Sequence, residues 1–134
     1  YTMNSLFLPM LQILYIGAGG FIGAVSRFLV SRYLNNLLPV FPLGTLVVNI
    51  TGSFVLGFVM YSISLGKSIS PDMRDFITIG ILGGFTTMSS FAYESFRLAE
   101  LNQVMLFALN AALNFVLCIA AVYAGKELAV MIAR

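Results

Sequence analysis

Three sets of polar side chains recur at four-residue intervals in a chain that is otherwise strongly apolar. Thr45, Asn49 and Ser53 form one set, Ser90 and Glu94 a second, and Asn110, Asn114 and Cys118 a third. Four-residue spacing puts the members of each set near one face of a helix. Their chemistry is that of amides and hydroxyls, with asparagine offering N–H donors and a carbonyl acceptor and serine an O–H donor with lone pairs. Such groups replace hydration water around a small solute. Glu94 is the one acid placed well inside an apolar stretch, whereas a cation pathway ordinarily supplies rings of carboxylates. Amide N–H, hydroxyl O–H and the positive edge of a ring such as Phe91 all suit an anion. An anion or a neutral solute therefore fits these residues better than a metal cation, although amides and hydroxyls also present acceptors.

The segment Gly83-Gly84-Phe85-Thr86-Thr87-Met88-Ser89-Ser90-Phe91 adds a second kind of chemistry. Adjacent glycines weaken a helix by about 1 kcal/mol each relative to alanine, and the following hydroxyls bond locally to released backbone groups. A helix break is expected within this segment. At membrane depth a break leaves backbone groups that protein, water or an ion must satisfy, and transport proteins place sites at such discontinuities. Two small-xxx-small pairs, Gly19 with Gly23 and Gly80 with Gly84, are expected to let helix backbones approach closely.

The elements that must position these groups follow from composition. The chain has 134 residues, 60% of them hydrophobic and 9% charged, with no His, no Trp, one Cys and a formal charge of +2. So short and apolar a chain cannot hide its apolar side chains in a water-soluble core. We expect one four-span membrane domain over 1–134, all-α, with spans at about 11–31, 44–64, 76–96 and 104–123. The loop before the second span holds Pro39 and Pro42, and proline readily marks a helix boundary. The first span is a poor secretory signal, because its first cation follows the apolar run. Without His and with only Cys118, the composition excludes a soft-ligand zinc set, a Cys/His nucleophile pair and an intramolecular disulfide, which makes an enzyme a poor reading. The scattered cations do not form a nucleic-acid-binding stripe, and lipid headgroups are the simpler partner.

Four spans put both ends of the domain on one side. That side carries Lys67, Arg74, Lys126 and Arg134, the other Arg27, Arg32 and Arg97. So flat a distribution gives almost no orientation signal and allows insertion both ways, unless a weak bias or a partner decides it. A four-helix bundle normally fills its own interior, so a pore calls for a second copy, and an antiparallel pair doubles every polar stripe.

These residues resemble the Fluc/CrcB fluoride channel family across nearly the whole chain. The matching pieces are Gly19-Gly20-Phe-Ile-Gly-Ala-Val-Ser-Arg27, then Gly44-Thr45-Leu-Val-Val-Asn49, then Gly83 to Phe91 followed by Glu94. The resemblance implies a dual-topology antiparallel homodimer in a prokaryotic plasma (inner) membrane, exporting fluoride passively through two narrow pores. It implies that Asn49 lines the pore and that positions 88 and 91 face the anion. It further implies a polar track through Ser89, Ser90, Glu94, Asn110, Asn114 and Cys118, and Arg27 near a vestibule. A structural sodium ion at the dimer interface would be held by the backbone carbonyls of Gly83 and Thr86. No organic cofactor is implied.

The chain departs from the family pattern at Met88, where phenylalanine is usual, replacing a ring edge with a flexible thioether. Asn114 stands where a small hydroxyl residue is common. On this reading fluoride exchanges its water shell for Asn49, the Phe91 ring edge and the hydroxyls near Ser89 and Ser90. Two other readings fit the same outline: a small dual-topology multidrug or cation transporter, which needs an embedded carboxylate that the first span lacks, and a non-transporting membrane assembly factor.

Overall fold

The computed structural model describes residues 3–134, with side chains from residue 10 onward. Every element is helical: α1 (Met3–Asn35), α2 (Leu43–Ser64), α3 (Pro71–Asp75), a π-helical segment (Phe76–Leu82), α4 (Gly83–Phe85), α5 (Met88–Glu100) and α6 (Val104–Ala133). Four runs are long and apolar enough to cross a membrane: Met10–Asn35, Leu43–Ser64, Pro71–Glu100 and Val104–Ala133. Each expected span falls within one of them, apart from small differences at the ends.

The ends differ because charge stops a hydrocarbon span without stopping a helix. α6 continues past position 123 to Ala133, carrying Lys126 against Glu127 at 3.6 Å and over the rings of Tyr61 and Tyr123 at 5.7 and 5.4 Å. The third span begins earlier than position 76, at Pro71, because the Ser70 hydroxyl caps it by accepting from Met73 N–H at 3.2 Å, with proline in the first turn. α1 runs on to Asn35, whose side-chain oxygen accepts from Gly44 N–H at 2.8 Å and so ties the end of α1 to the start of α2.

Glycines decide which helices meet. α1 lies along the π segment and α4, and α2 lies along α6. A Cβ on Gly19 would stand 2.5 Å from the Phe76 carbonyl oxygen, one on Gly84 would stand 2.6 Å from that of Gly20, and one on Gly23 would overlap the Ile81 carbonyl. Both expected glycine pairs thus form one backbone-to-backbone seat. α2 and α6 are joined the same way, with Gly57 against Val122 and Gly125 against Phe54.

The break in the third span falls within the expected segment, just after its two glycines. Gly83 is helical at φ −64° and ψ −37°, and the chain departs from helix at Thr86 and Thr87. Gly84 serves close approach to α1 instead, and among the described residues φ is positive only at Gly66 and Asn102. Outward-facing side chains such as Phe21, Leu14 and Phe115 are strongly exposed, as suits a surface that meets lipid or another apolar face. The largest closed-off side chains are Val48, Asn110 and Thr45. Two of the three are polar, so the centre of this domain is a hydrogen-bonded seam.

Candidate functional site: a polar seam at the helix break

Two extended residues, Thr86 (φ −80°, ψ 159°) and Thr87 (φ −153°, ψ 116°), separate α4 from α5. Thr86 still bonds back, donating through N–H at 3.0 Å and its hydroxyl at 2.9 Å to the Leu82 carbonyl. Thr87 does not. Its N–H donates to Asn49 Oδ1 at 2.8 Å, and its carbonyl accepts from Asn49 Nδ2 at 3.1 Å. One amide side chain therefore pairs with both backbone groups of the broken residue, much as a neighbouring strand would. The Gly83 carbonyl loses the helical partner that Thr87 N–H would have been.

Other groups finish the break. The Thr87 hydroxyl accepts from Ser90 N–H at 3.1 Å, capping α5, and donates to Ser90 Oγ at 3.0 Å. Arg27 reaches from α1 and donates through Nη1 to the Thr86 carbonyl at 3.2 Å. Gly52 on α2 makes room, since a Cβ there would overlap the Thr86 methyl group.

From Asn49 the seam continues as a chain of amides. Asn49 Nδ2 donates to Asn114 Oδ1 at 3.1 Å, Asn114 Nδ2 to Asn110 Oδ1 at 3.0 Å, and Asn110 Nδ2 to Ser95 Oγ at 2.9 Å. On the other side of the break the Thr45 hydroxyl donates to Glu94 Oε1 at 2.9 Å. Glu94 Oε2 is buried with no hydrogen-bond partner among the described residues.

Two clefts flank this seam. One of about 530 Å³ is open and is lined by Asn49, Thr87, Met88, Phe91, Asn114 and Cys118, among others. The second, of about 350 Å³, is lined by Arg27, Arg32, Thr45, Thr87, Ser90 and Glu94 among others. Thr87 borders both.

The structure brings most of the sequence-predicted residues to the seam or its clefts. Met88 is 73% exposed and Phe91 is half-buried, both on the wall of the larger cleft. Ser89 is exposed and 3.3 Å from the Thr87 hydroxyl. Asn110 is fully buried and lines neither of these clefts. Gly83 is exposed, and Thr86 is half-buried under Arg27. Asn49 differs from expectation in one respect: both its amide hydrogens are already engaged within the protein. Thr87 and Ser95 were missed as site residues. Thr87 stands within the glycine and hydroxyl segment, but nothing in spacing marks it as the broken residue. Ser95 follows Glu94 on α5, where Glu94 meets Thr45 of α2 and Ser95 meets Asn110 of α6. No group of three His, Cys, Asp or Glu side chains able to hold a metal occurs among the described residues, so a cation here would need backbone oxygens.

Residues 14–126 match the family described as CrcB-like protein, Camphor Resistance (CrcB). A protein named fluoride-specific ion channel FluC 1 from Methanosarcina acetivorans is 51% identical over 117 residues, which cover 87% of this chain and 89% of that one. Fluoride-specific ion channel FluC 3 from Methanosarcina barkeri is 45% identical over 120 residues, 90% and 91% of the two chains. Fluoride-specific ion channel FluC from Methanococcus maripaludis is 47% identical over 120 residues, 87% and 94%. With its four apolar spans and its broken third helix, the chain belongs to the CrcB-like family.

Proposed function

We propose that the protein is a fluoride-specific channel that lets fluoride leave the cell passively and so lowers cytoplasmic fluoride. The observation that carries this reading is the broken residue Thr87, bracketed by Asn49 and bordering two clefts. Fluoride gives up water for the hydroxyls of Ser89 and Ser90 and the ring edge of Phe91, with Met88 filling the width that a second ring would occupy. Asn49 holds the break in the shape that presents these groups. Glu94 and Arg27 stand at the second cleft, where opposite charges set how readily an anion enters.

The working unit of this proposal is an antiparallel homodimer in the plasma membrane of a prokaryotic cell, surrounded by lipid. The larger cleft is open along Met88 and Phe115, and a second copy would close it into a narrow path. The nearly even charge distribution supports insertion in both orientations. A sodium ion suits the same interface. The Gly83 carbonyl lacks its helical donor, and the Thr86 carbonyl keeps a lone pair beside the Arg27 bond, so both oxygens fit a hard cation. Bound there, sodium would supply positive charge that holds the broken spans of two copies together.

A growth test addresses the function. In prokaryotic cells stripped of their own fluoride export, expression of this protein is expected to restore growth in fluoride and Asn49→Asp is expected not to. Correctly inserted protein that leaves the cells fluoride-sensitive contradicts the proposal.

A further inference from the structure

We infer that Asn110 is a positioning residue, which with Ser95 fixes the amide chain behind the helix break and does not itself meet the ion. The flux arm of this inference rests on the channel reading above, while its stability arm does not.

Thr87 N–H must face the oxygen of the Asn49 amide, so the Asn49 nitrogen faces Asn114. Asn114 then turns its oxygen to Asn49 and its nitrogen to Asn110, and Asn110 turns its oxygen to Asn114 and its nitrogen to Ser95. Reversing any one amide opposes donor to donor or oxygen to oxygen, so the network assigns every orientation from the broken residue outward. Asn114 is further held by donating to the Asn110 carbonyl at 3.1 Å.

Burial points the same way. Asn110 is 0% exposed, Asn114 7% and Ser95 5%. The chain crosses from α2 to α6 to α5, so it ties the second half of the third span to the helix that Asn49 also touches. Breaking a buried network leaves its remaining members unsatisfied, which is the more costly outcome. Asn110 therefore acts through Asn114 and Asn49 on the geometry of Thr87.

Substitution at one position separates a strut from an ion-lining group. Asn110→Asp preserves the strut as the neutral acid, the form a fully buried and unpaired carboxyl takes, because its carbonyl oxygen accepts from Asn114 and its O–H donates to Ser95 Oγ. Asn110→Leu removes both bonds. In vesicles loaded with potassium fluoride, Asn110→Leu is expected to slow fluoride efflux about 10-fold and to lower the fluoride-to-chloride ratio, with Asn110→Asp rescuing both to within about threefold of wild type. Efflux through Asn110→Asp as slow as through Asn110→Leu, from folded protein, overturns the inference, since flux would then be lost with the strut intact.

A second measurement covers misfolding of the aspartate variant. Ser95→Ala and Asn110→Leu are each expected to lower the Tm in detergent, and the double variant is expected to fall no further than the worse single one. Additive Tm losses, or a Ser95→Ala protein with wild-type Tm, overturn it. Should wild-type vesicles release no fluoride, the channel reading fails, and this Tm cycle still decides the strut.

Discussion

Asn49 is the residue on which the site turns, because its one side chain replaces the backbone bonds that Thr87 loses. Asn49→Asp keeps an acceptor for Thr87 N–H but removes the donors to the Thr87 carbonyl and to Asn114, and it puts a negative charge on the cleft wall. The distorted break and the negative charge on the cleft wall are together expected to lower efflux about 100-fold or more when followed with a fluoride electrode. Thr87 carries a second prediction. Thr87→Val keeps the shape but removes the cap on α5 and the hydroxyl that borders both clefts, so stability falls by about 1 kcal/mol and efflux falls with it, whereas Thr87→Ser retains both properties. At the cleft wall, Phe91→Ile is expected to slow efflux more than Met88→Leu, since the half-buried ring is the fixed contact and Met88 is largely exposed. The reverse order would move the main contact to position 88. Asn49, Asn114 and Glu94 could be read as site residues from spacing alone, because a polar side chain in an apolar helix is conspicuous. Which of them faces an ion could not, because spacing shows a shared face and says nothing of the partner across it.

At the scale of elements, the spans follow from hydropathy and the contacts follow from glycine. The same helix α1 offers a direct contrast. A Cβ at Gly23 would overlap the Ile81 carbonyl, whereas one at Gly17 meets nothing within 4 Å. Gly23→Ala is therefore expected to destabilise the fold by about 3 kcal/mol, at the upper end of overpacking costs. Gly17→Ala is expected to be neutral or to stabilise by up to about 1 kcal/mol through helix propensity. Thermal unfolding in detergent checks both, and equal behaviour of the two variants would contradict the seat described between α1 and the third span. The position of the break was less legible. Gly83 and Gly84 look like the weak point by propensity, yet Gly84 is held in helical form against Gly20, and the break moves to Thr86 and Thr87 where Asn49 can take over. Helix ends were hidden for a related reason, since Lys126 and Glu127 end a hydrocarbon stretch while their pairing lets α6 continue.

For the whole molecule, the open cleft, the flat charge count and the released Gly83 carbonyl support the proposed pair of oppositely inserted copies. A tag placed after Arg134 is then expected on both faces of the membrane in comparable amounts, as read by impermeant labelling of intact and opened cells. Labelling confined to one face would contradict the antiparallel arrangement. The central claim is selectivity, and its most direct measurement is anion efflux from vesicles holding the purified protein, with valinomycin clamping the potential and an electrode reading each ion. The account predicts rapid release of fluoride with negligible release of chloride. Equal release of both, or release of neither from folded and inserted protein, would contradict it.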